Sequence, residues 1–287
     1  MSEILPEGIL LNDNLIVEKQ LCSIYSSTSS SPELDNFPWQ KIVEGILVGR
    51  GLAGPEAELG RGGVFFLSGG QLPYSIVVRQ YRHGGLGRFL SGARFFSKCR
   101  FLNELKIHQE VNELGVATPQ ALAVIVLKKE LKSTFVNGYY VTRRLSETVG
   151  LPEFLEKSGT SVRLKTAFML GHNLRKLHDH GIFYTDMHVK NILVGPDAQI
   201  FFIDFDKARQ FRAPLSSYRR RLNLYRFLRS VEKYCHRGGT ITAADRTAFL
   251  IAYEPDSEKY VKLYRQLALG LSWRGLFYKF GWWLNRS

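Results

Sequence analysis

The stretch G-I-F-Y-T-D-M-H-V-K-N-I-L-V-G-P-D-A-Q-I-F-F-I-D-F-D-K-A-R, residues 181–209, decides how the rest of the chain is read. Asp186 and Asn191 stand five residues apart on an expected loop, and thirteen residues on Asp204 follows the apolar run Ile200-Phe201-Phe202-Ile203. A short apolar run between polar residues reads as a buried strand, which puts Asp204 at a strand end. Two carboxylates and an amide are hard oxygen donors. They suit magnesium, with one carboxylate placed to orient and deprotonate a hydroxyl. The alternative is structural: Asp186 capping a turn and Asp204 capping a hairpin.

Just upstream, residues 162–180 form the clearest predicted helix, with Leu164, Ala167, Phe168, Gly171, Leu174, Leu177 and His178 on one face and Gly181 ending it. His172, His178 and His180 fall in its later turns. A zinc site needs converging ligands and a supporting second shell, so His178 is read as packed or hydrogen-bonded instead. Further upstream, residues 41–48 (K-I-V-E-G-I-L-V) read as a strand, and L-G-R-G-G-V-F-F-L at 59–67 as a glycine turn feeding a strand. Gly60, Gly62 and Gly63 either let backbone N–H groups approach a phosphate or simply close a hairpin. They do not form a G-x-G-x-x-G ahead of a helix, so a dinucleotide fold is not indicated.

Residues 74–81 form a strand carrying Arg79, which is either a rim charge or a cation aimed at phosphate or a carboxylate partner. The basic loop at 82–88 can grip an anion. A helix over 97–114 places Phe101, Leu105, His108 and Val111 in one stripe with Glu104 beside it. Such a glutamate is either solvated or the partner of Arg79. Strands at 121–127 and 138–144 pair around a polar turn, and beyond Ser146 the pattern is mostly helical. The expectation is an α+β fold in two lobes. It comprises a partly flexible N-terminal extension at 1–40 with a serine-rich linker at 26–32, a nucleotide-binding lobe at 41–145, and a second lobe at 146–287.

The chain has 287 residues, 45% of them apolar, enough for a sizeable core. Its net charge of +13 favours a polyanion, whether nucleic acid, nucleotide or an anionic membrane face. Cys22, Cys99 and Cys235 are odd in number and far apart, which argues against a disulfide framework or a zinc site. No signal-peptide pattern and no apolar run of about 18 residues occurs, so a cytosolic or membrane-surface protein is expected. The helix predicted around 218–229 has a basic face. The tail at 273–286 mixes Trp273, Phe277, Tyr278, Phe280, Trp282 and Trp283 with cations and no acids. That mixture suits a membrane interface or a cap on the fold.

Phosphoryl transfer needs a cradle for ATP phosphates, a cation on them, metal ligands and a carboxylate for the acceptor. The chain supplies candidates in order. Gly60, Gly62 and Gly63 would cover the nucleotide, and Arg79, held by Glu104, would touch phosphate. Asp186 would orient the hydroxyl, and Asn191 with Asp204 would hold magnesium.

With these residues in place, the chain resembles the lipopolysaccharide kinases of the protein-kinase-like superfamily, most nearly their 3-deoxy-D-manno-octulosonic acid (Kdo) kinase branch. The resemblance rests on G-R-G at 60–62, V-V-R-Q-Y-R-H-G-G-L at 77–86, F-L-N-E-L at 101–105 and L-G-V-A-T-P-Q-A-L-A at 114–123. It continues through L-R-K-L-H-D at 174–179, Y-T-D-M-H-V-K-N-I-L at 184–193, I-D-F-D-K at 203–207 and N-L-Y-R-F-L-R-S-V-E-K at 223–233. It implies a bilobal kinase fold using ATP and Mg2+, with transfer to a hydroxyl of a Kdo-containing lipid A precursor. It also implies a peripheral location on the anionic cytoplasmic face of a bacterial inner membrane. Heptose kinases and small-molecule phosphotransferases share the same parts. A pseudokinase is disfavoured by intact Asp186, Asn191 and Asp204, and a nucleic-acid-binding protein by the lack of a recognised motif.

The chain also departs from the usual pattern. Tyr184 stands where kinases carry histidine, and D-M-H-V-K-N replaces the D-L-N-A-H-N of the resembled family, which puts Lys190 in reach of a γ-phosphate. Asp206 replaces the glycine of D-F-G and is a further candidate metal ligand. Arg79 replaces lysine, with a different reach.

Overall fold

The computed structural model describes residues 9–17, 20–27, 34, 37–48, 57–59, 64–68, 72–82, 94–128 and 134–269. The chain forms two compact units, Met1–Glu110 with Pro119–Ser146, and Val111–Thr118 with Glu147–Ser287.

The first unit is built on an antiparallel sheet. Its strands are β1 (Ile9–Val17), β2 (Gln20–Ser27), β3 (Ala57–Leu59), β4 (Val64–Leu67), β5 (Ile76–Gln80), β6 (Ala121–Lys128) and β7 (Asn137–Arg143), in the order β1-β2-β6-β7-β5-β4-β3. Helices α1 (Trp39–Val48) and α2 (Cys99–Glu113) accompany it. Alternate residues of the central strands point to opposite faces. Ile24, Ile125 and Val141 pack in one cluster with Trp39, Ile42, Val43 and Ile46 of α1. Tyr25, Val124 and Tyr140 pack in another with Phe101, Leu102 and Leu105 of α2. Strand β6 is covered on both faces, which explains its unbroken apolar run A-L-A-V-I-V-L.

Two expectations are corrected here. Residues 41–48 are helical, not a strand. Their β-branched residues suggested a strand, but Trp39, Ile42, Val43 and Ile46 recur at helical spacing and are buried, while Gln40, Lys41 and Glu44 face water. The first forty residues are also not wholly peripheral. Strands β1 and β2 belong to the sheet, β2 pairs with β6, and Cys22 and Ile24 are fully buried.

The second unit is mainly helical: α3 (Leu151–Lys157), α4 (Thr160–Asp179), α5 (Ser217–His236), α6 (Ala243–Tyr253) and α7 (residues 257–269). Small sheets carry the loop connections. Strands β8 (Val149–Gly150), β10 (Ile192–Val194) and β11 (Ile200–Phe202) form one, and β9 (Ile182–Phe183) pairs with β12 (Arg209–Gln210) in another. Helix α4 buries Thr166, Leu170, Gly171, Leu174, Leu177 and His178, whereas Phe168, expected on that face, is exposed. Gly171 lets α4 and α6 meet closely, since a Cβ there would lie 2.1 Å from the carbonyl oxygen of Phe249.

Candidate active site

In the second unit the decisive stretch folds as a loop braced from below by α5. Helix α4 ends at Asp179, and Gly181, at φ +77°, turns the chain into β9. The loop backbone is then held by side chains of α5. Asn223 Nδ2 donates to the Tyr184 carbonyl (2.5 Å), Arg226 Nη1 donates to the Thr185 carbonyl (2.8 Å), and the Val189 N–H donates to Ser230 Oγ (3.1 Å). Residues 223, 226 and 230 follow the i, i+3, i+7 spacing of one helical face. Tyr184 is fully buried, with its ring 4.9 Å from that of Phe205, and its hydroxyl donates to the Ile203 carbonyl. Tyr184 thus ties the start of the loop to the residue just before Asp204.

Asn191 is buried, and its Nδ2 donates to the Asp186 carbonyl at 3.0 Å. Its own carbonyl accepts from the Ile203 N–H at 3.0 Å, in line with the β10–β11 register that sets Ile192 opposite Phe202. Asn191 is thereby joined to Asp186, five residues before it, and to Ile203, twelve residues after it. The Asp186 side chain is 50% exposed and so open to an incoming molecule. His188 Nε2 lies 4.0 Å from Asp186 Oδ1, and Lys190 is exposed. Asp204 has φ +67°, a left-handed backbone that Asp tolerates better than most residues, and Asp206 is half-buried two residues on.

These groups fit magnesium by chemistry. The bond to Asp186 uses the N–H of the Asn191 amide, so the side chain has an oxygen to offer, and Asp204 and Asp206 add carboxylate oxygens. Among the described residues no three His, Cys, Asp or Glu side chains form a metal cluster of their own. Magnesium held through one or two carboxylates and nucleotide phosphates requires none.

Behind the loop runs a chain of neutral hydrogen bonds. Asn223 Oδ1 can only accept, so His178 Nε2 carries the proton and donates to it at 2.9 Å. His178 Nδ1 then accepts from the Tyr253 hydroxyl at 2.7 Å. The path runs Tyr253, His178, Asn223, Tyr184, Ile203, from helix α6 to the residue before Asp204. Burial pushes the His178 pKa down to about 4, which keeps the imidazole neutral. Both ring nitrogens are thus committed within the protein, the hydrogen-bonded role expected for this residue.

The first unit holds the candidate phosphate contact. Arg79 on β5 donates through Nη2 to both oxygens of Glu104 on α2, at 2.6 and 2.8 Å, and the Tyr81 hydroxyl donates to Glu104 Oε2 at 2.6 Å. Glu104 is 1% exposed, so of its two readings the solvated one is excluded. The Arg79 guanidinium also lies over the rings of Tyr81 and Tyr140, 5.0 and 5.7 Å from their centroids. Burial, and then the Glu104 charge, raise the Tyr81 pKa well above its ordinary value, so its hydroxyl stays a donor. Nearby, the Tyr140 hydroxyl donates to His108 Nδ1 (2.6 Å) and His108 Nε2 donates to the Pro119 carbonyl (2.5 Å). Burial holds the His108 pKa at about 4. Strands β3 and β4 are antiparallel, with Leu59 opposite Phe65. Gly60, Gly62 and Gly63, most of the basic loop at 82–88 and the aromatic tail at 273–286 lie outside the described residues.

The sequence model of the Lipopolysaccharide kinase (Kdo/WaaP) family matches residues 55–253. The chain belongs to this family. A 3-deoxy-D-manno-octulosonic acid kinase of Vibrio vulnificus is 31% identical over 186 residues, covering 62% of this chain and 72% of that protein. A kinase of the same name from Xylella fastidiosa is 28% identical over 185 residues, covering 63% of this chain and 70% of its own. The fold is similar to that of WaaP, solved in complex with acyl carrier protein, with a TM-score of 0.56 at 18% identity over 83% of this chain and 93% of that one. This lipopolysaccharide kinase therefore has a protein-kinase-like fold and is a phosphotransferase that uses ATP.

Within this kinase, sequence reasoning found the loop but missed its supports. Asn223, Arg226, Ser230 and Tyr253 were assigned no role. Asn223 carried a signal, being a polar residue four and eight places before the apolar Phe227 and Val231 and therefore on the buried face of its helix.

Proposed function

We propose that the kinase transfers the γ-phosphoryl group of ATP to a hydroxyl of Kdo on a lipid A precursor, working peripherally at the cytoplasmic face of a bacterial inner membrane. The observation that supports the reading is the Asn191–Asp186 hydrogen bond, which uses the amide N–H and holds the Asn191 side chain beside an exposed carboxylate. The acceptor is supported by the relatives named for Kdo, at 31% and 28% identity. Magnesium, when bound, neutralises phosphate charge.

The residues of this chain do the rest. Asp186 takes a hydrogen bond from the acceptor hydroxyl, orients its oxygen and receives its proton as the bond to the γ-phosphorus forms and the bond from that phosphorus to the bridging oxygen breaks, releasing ADP. Asn191, Asp204 and Asp206 would hold the metal through side-chain oxygens. Arg79, fixed by Glu104 and Tyr81, contacts nucleotide phosphate, and Lys190 meets the γ-phosphate. The +13 net charge favours an anionic acceptor at an anionic surface.

The test is ATP turnover with a Kdo-bearing lipid A precursor, a heptosylated core and no acceptor. Turnover with the first alone is the expected result. Preference for the heptosylated core would move the reading to a heptose kinase.

A further inference from the structure

Two large aromatic side chains of the first unit are turned outward together. Phe96 is 77% exposed and Phe135 is 40% exposed, with ring centroids 4.6 Å apart. Their neighbours explain the geometry. Phe95 and Val136 exchange both backbone hydrogen bonds, each 2.8 Å, in an isolated antiparallel bridge. Side chains alternate across such a pairing. Phe95 and Val136 point inward, and Phe95 packs edge-on against Phe101 at 5.0 Å. Phe96 and Phe135 must then project outward as a pair on a backbone that is already fixed.

The charged residues beside Phe96 in the chain are basic. Residues 94–103, R-F-F-S-K-C-R-F-L-N, contain Arg94, Lys98 and Arg100 and no carboxylate. Arg94 is exposed, Lys98 is half-buried over the Tyr25 ring, and the Arg100 guanidinium lies over the Phe95 ring at 5.2 Å. Exposed aromatic rings within a cationic field suit a bilayer with anionic headgroups. The rings enter the acyl boundary while the cations meet phosphate. Among the described residues no helix is long and apolar enough to cross a membrane, so attachment through these residues would have to use a surface of this kind.

We infer that Phe96 and Phe135, with Arg94 and Arg100, form an interfacial anchor that inserts into an anionic lipid surface. The inference deepens the reading of a membrane-borne acceptor and rests on it. It places the anchor on the unit that carries Arg79 and Glu104, whereas the aromatic tail lies at the other end of the chain.

The experiment measures partitioning of the full-length protein onto vesicles of phosphatidylethanolamine and phosphatidylglycerol, and onto neutral phosphatidylcholine, with no Kdo lipid present. The Phe96→Ser/Phe135→Ser variant is expected to lose about tenfold or more of its partitioning onto the anionic vesicles. Its ATP-dependent turnover of a soluble, deacylated Kdo acceptor should match the unaltered protein. A second variant guards against misfolding: Phe96→Trp should bind at least as well, and its added fluorescence should shift to the blue on anionic vesicles alone. Equal partitioning of the serine variant and the unaltered protein, or a Phe96→Trp emission that vesicles leave unchanged, would overturn the anchor. Self-association that depends on Phe96 without vesicle binding would overturn it too, in favour of a second copy of the chain. Because the vesicles lack Kdo, failure of the anchor is separable from failure of the Kdo acceptor in the turnover assay.

Discussion

The polar network around Arg79 in the first unit is charged, and the one behind the loop in the second is neutral. Glu104 meets Arg79 and Tyr81 as an ion pair with an added hydroxyl, facing two aromatic rings. Tyr253, His178, Asn223 and Tyr184 are linked by neutral donors and acceptors only. The difference follows from what each must hold. A cation proposed to contact phosphate has to be aimed, and a buried carboxylate can aim it, although taking a carboxylate out of water is costly unless it is paired. A loop backbone needs fixed donors and acceptors, which amides and imidazoles supply without the desolvation cost of a charge.

The largest effect should come from the residue that neither arrangement can replace. Asp186→Asn keeps the loop, because the Asn191 bond is to the backbone carbonyl of Asp186. It should lower kcat by roughly 10²–10⁴ with ATP affinity preserved, as read by steady-state turnover beside nucleotide titration. Undiminished turnover would remove Asp186 from catalysis. Next, Glu104→Ala leaves Arg79 without its carboxylate and should destabilise the protein by about 3–5 kcal/mol. Denaturant unfolding gives the stability, and a weakened ATP Kd would mark the positioning role. A milder loss is expected for Asn223→Ala, which strands the His178 N–H and the Tyr184 carbonyl. About 1–3 kcal/mol should go, with kcat falling more than the KM for ATP. A change in KM alone would put the neutral chain outside the loop's function.

A further effect is silent at neutral pH, and acid reveals it. Folded, His108 and His178 stay neutral down to about pH 4. In the unfolded chain they take up protons near pH 6.5. Below that value the unfolded state binds more protons, so stability should fall as the pH drops from about 6.5 towards 4. The slope is up to about 1.4 kcal/mol per pH unit for each histidine, and these residues contribute none above pH 7. Thermal unfolding across that range, repeated with His178→Gln, should show a shallower slope in the variant. An unchanged slope would mean that the imidazole is not held neutral.

Legibility in the sequence followed distance along the chain. Asp186, Asn191 and Asp204 lie within one short stretch, and their spacing alone reflects the turn and the β10–β11 pairing that join them. Arg79 and Glu104, 25 residues apart, could be paired only by supposing that each required the other. Asn223 and Tyr253 were illegible as partners because a polar residue on a helix is ordinarily solvated, and only the tertiary packing shows what lies opposite. Residues 41–48 misled for a different reason. Isoleucine and valine favour strands when considered locally, and burial of one helical stripe overrode that preference.

The left-handed backbone of Asp204 has a consequence for substitution at that position. Glycine adopts that conformation without a Cβ penalty, whereas a non-glycine residue in it costs of order 1–3 kcal/mol, with Asp at the low end. Asp204→Gly would therefore relax the backbone while deleting a carboxylate. Of the two terms, the backbone favours glycine and the proposed metal site favours aspartate, so stability and turnover of Asp204→Gly should move in opposite directions.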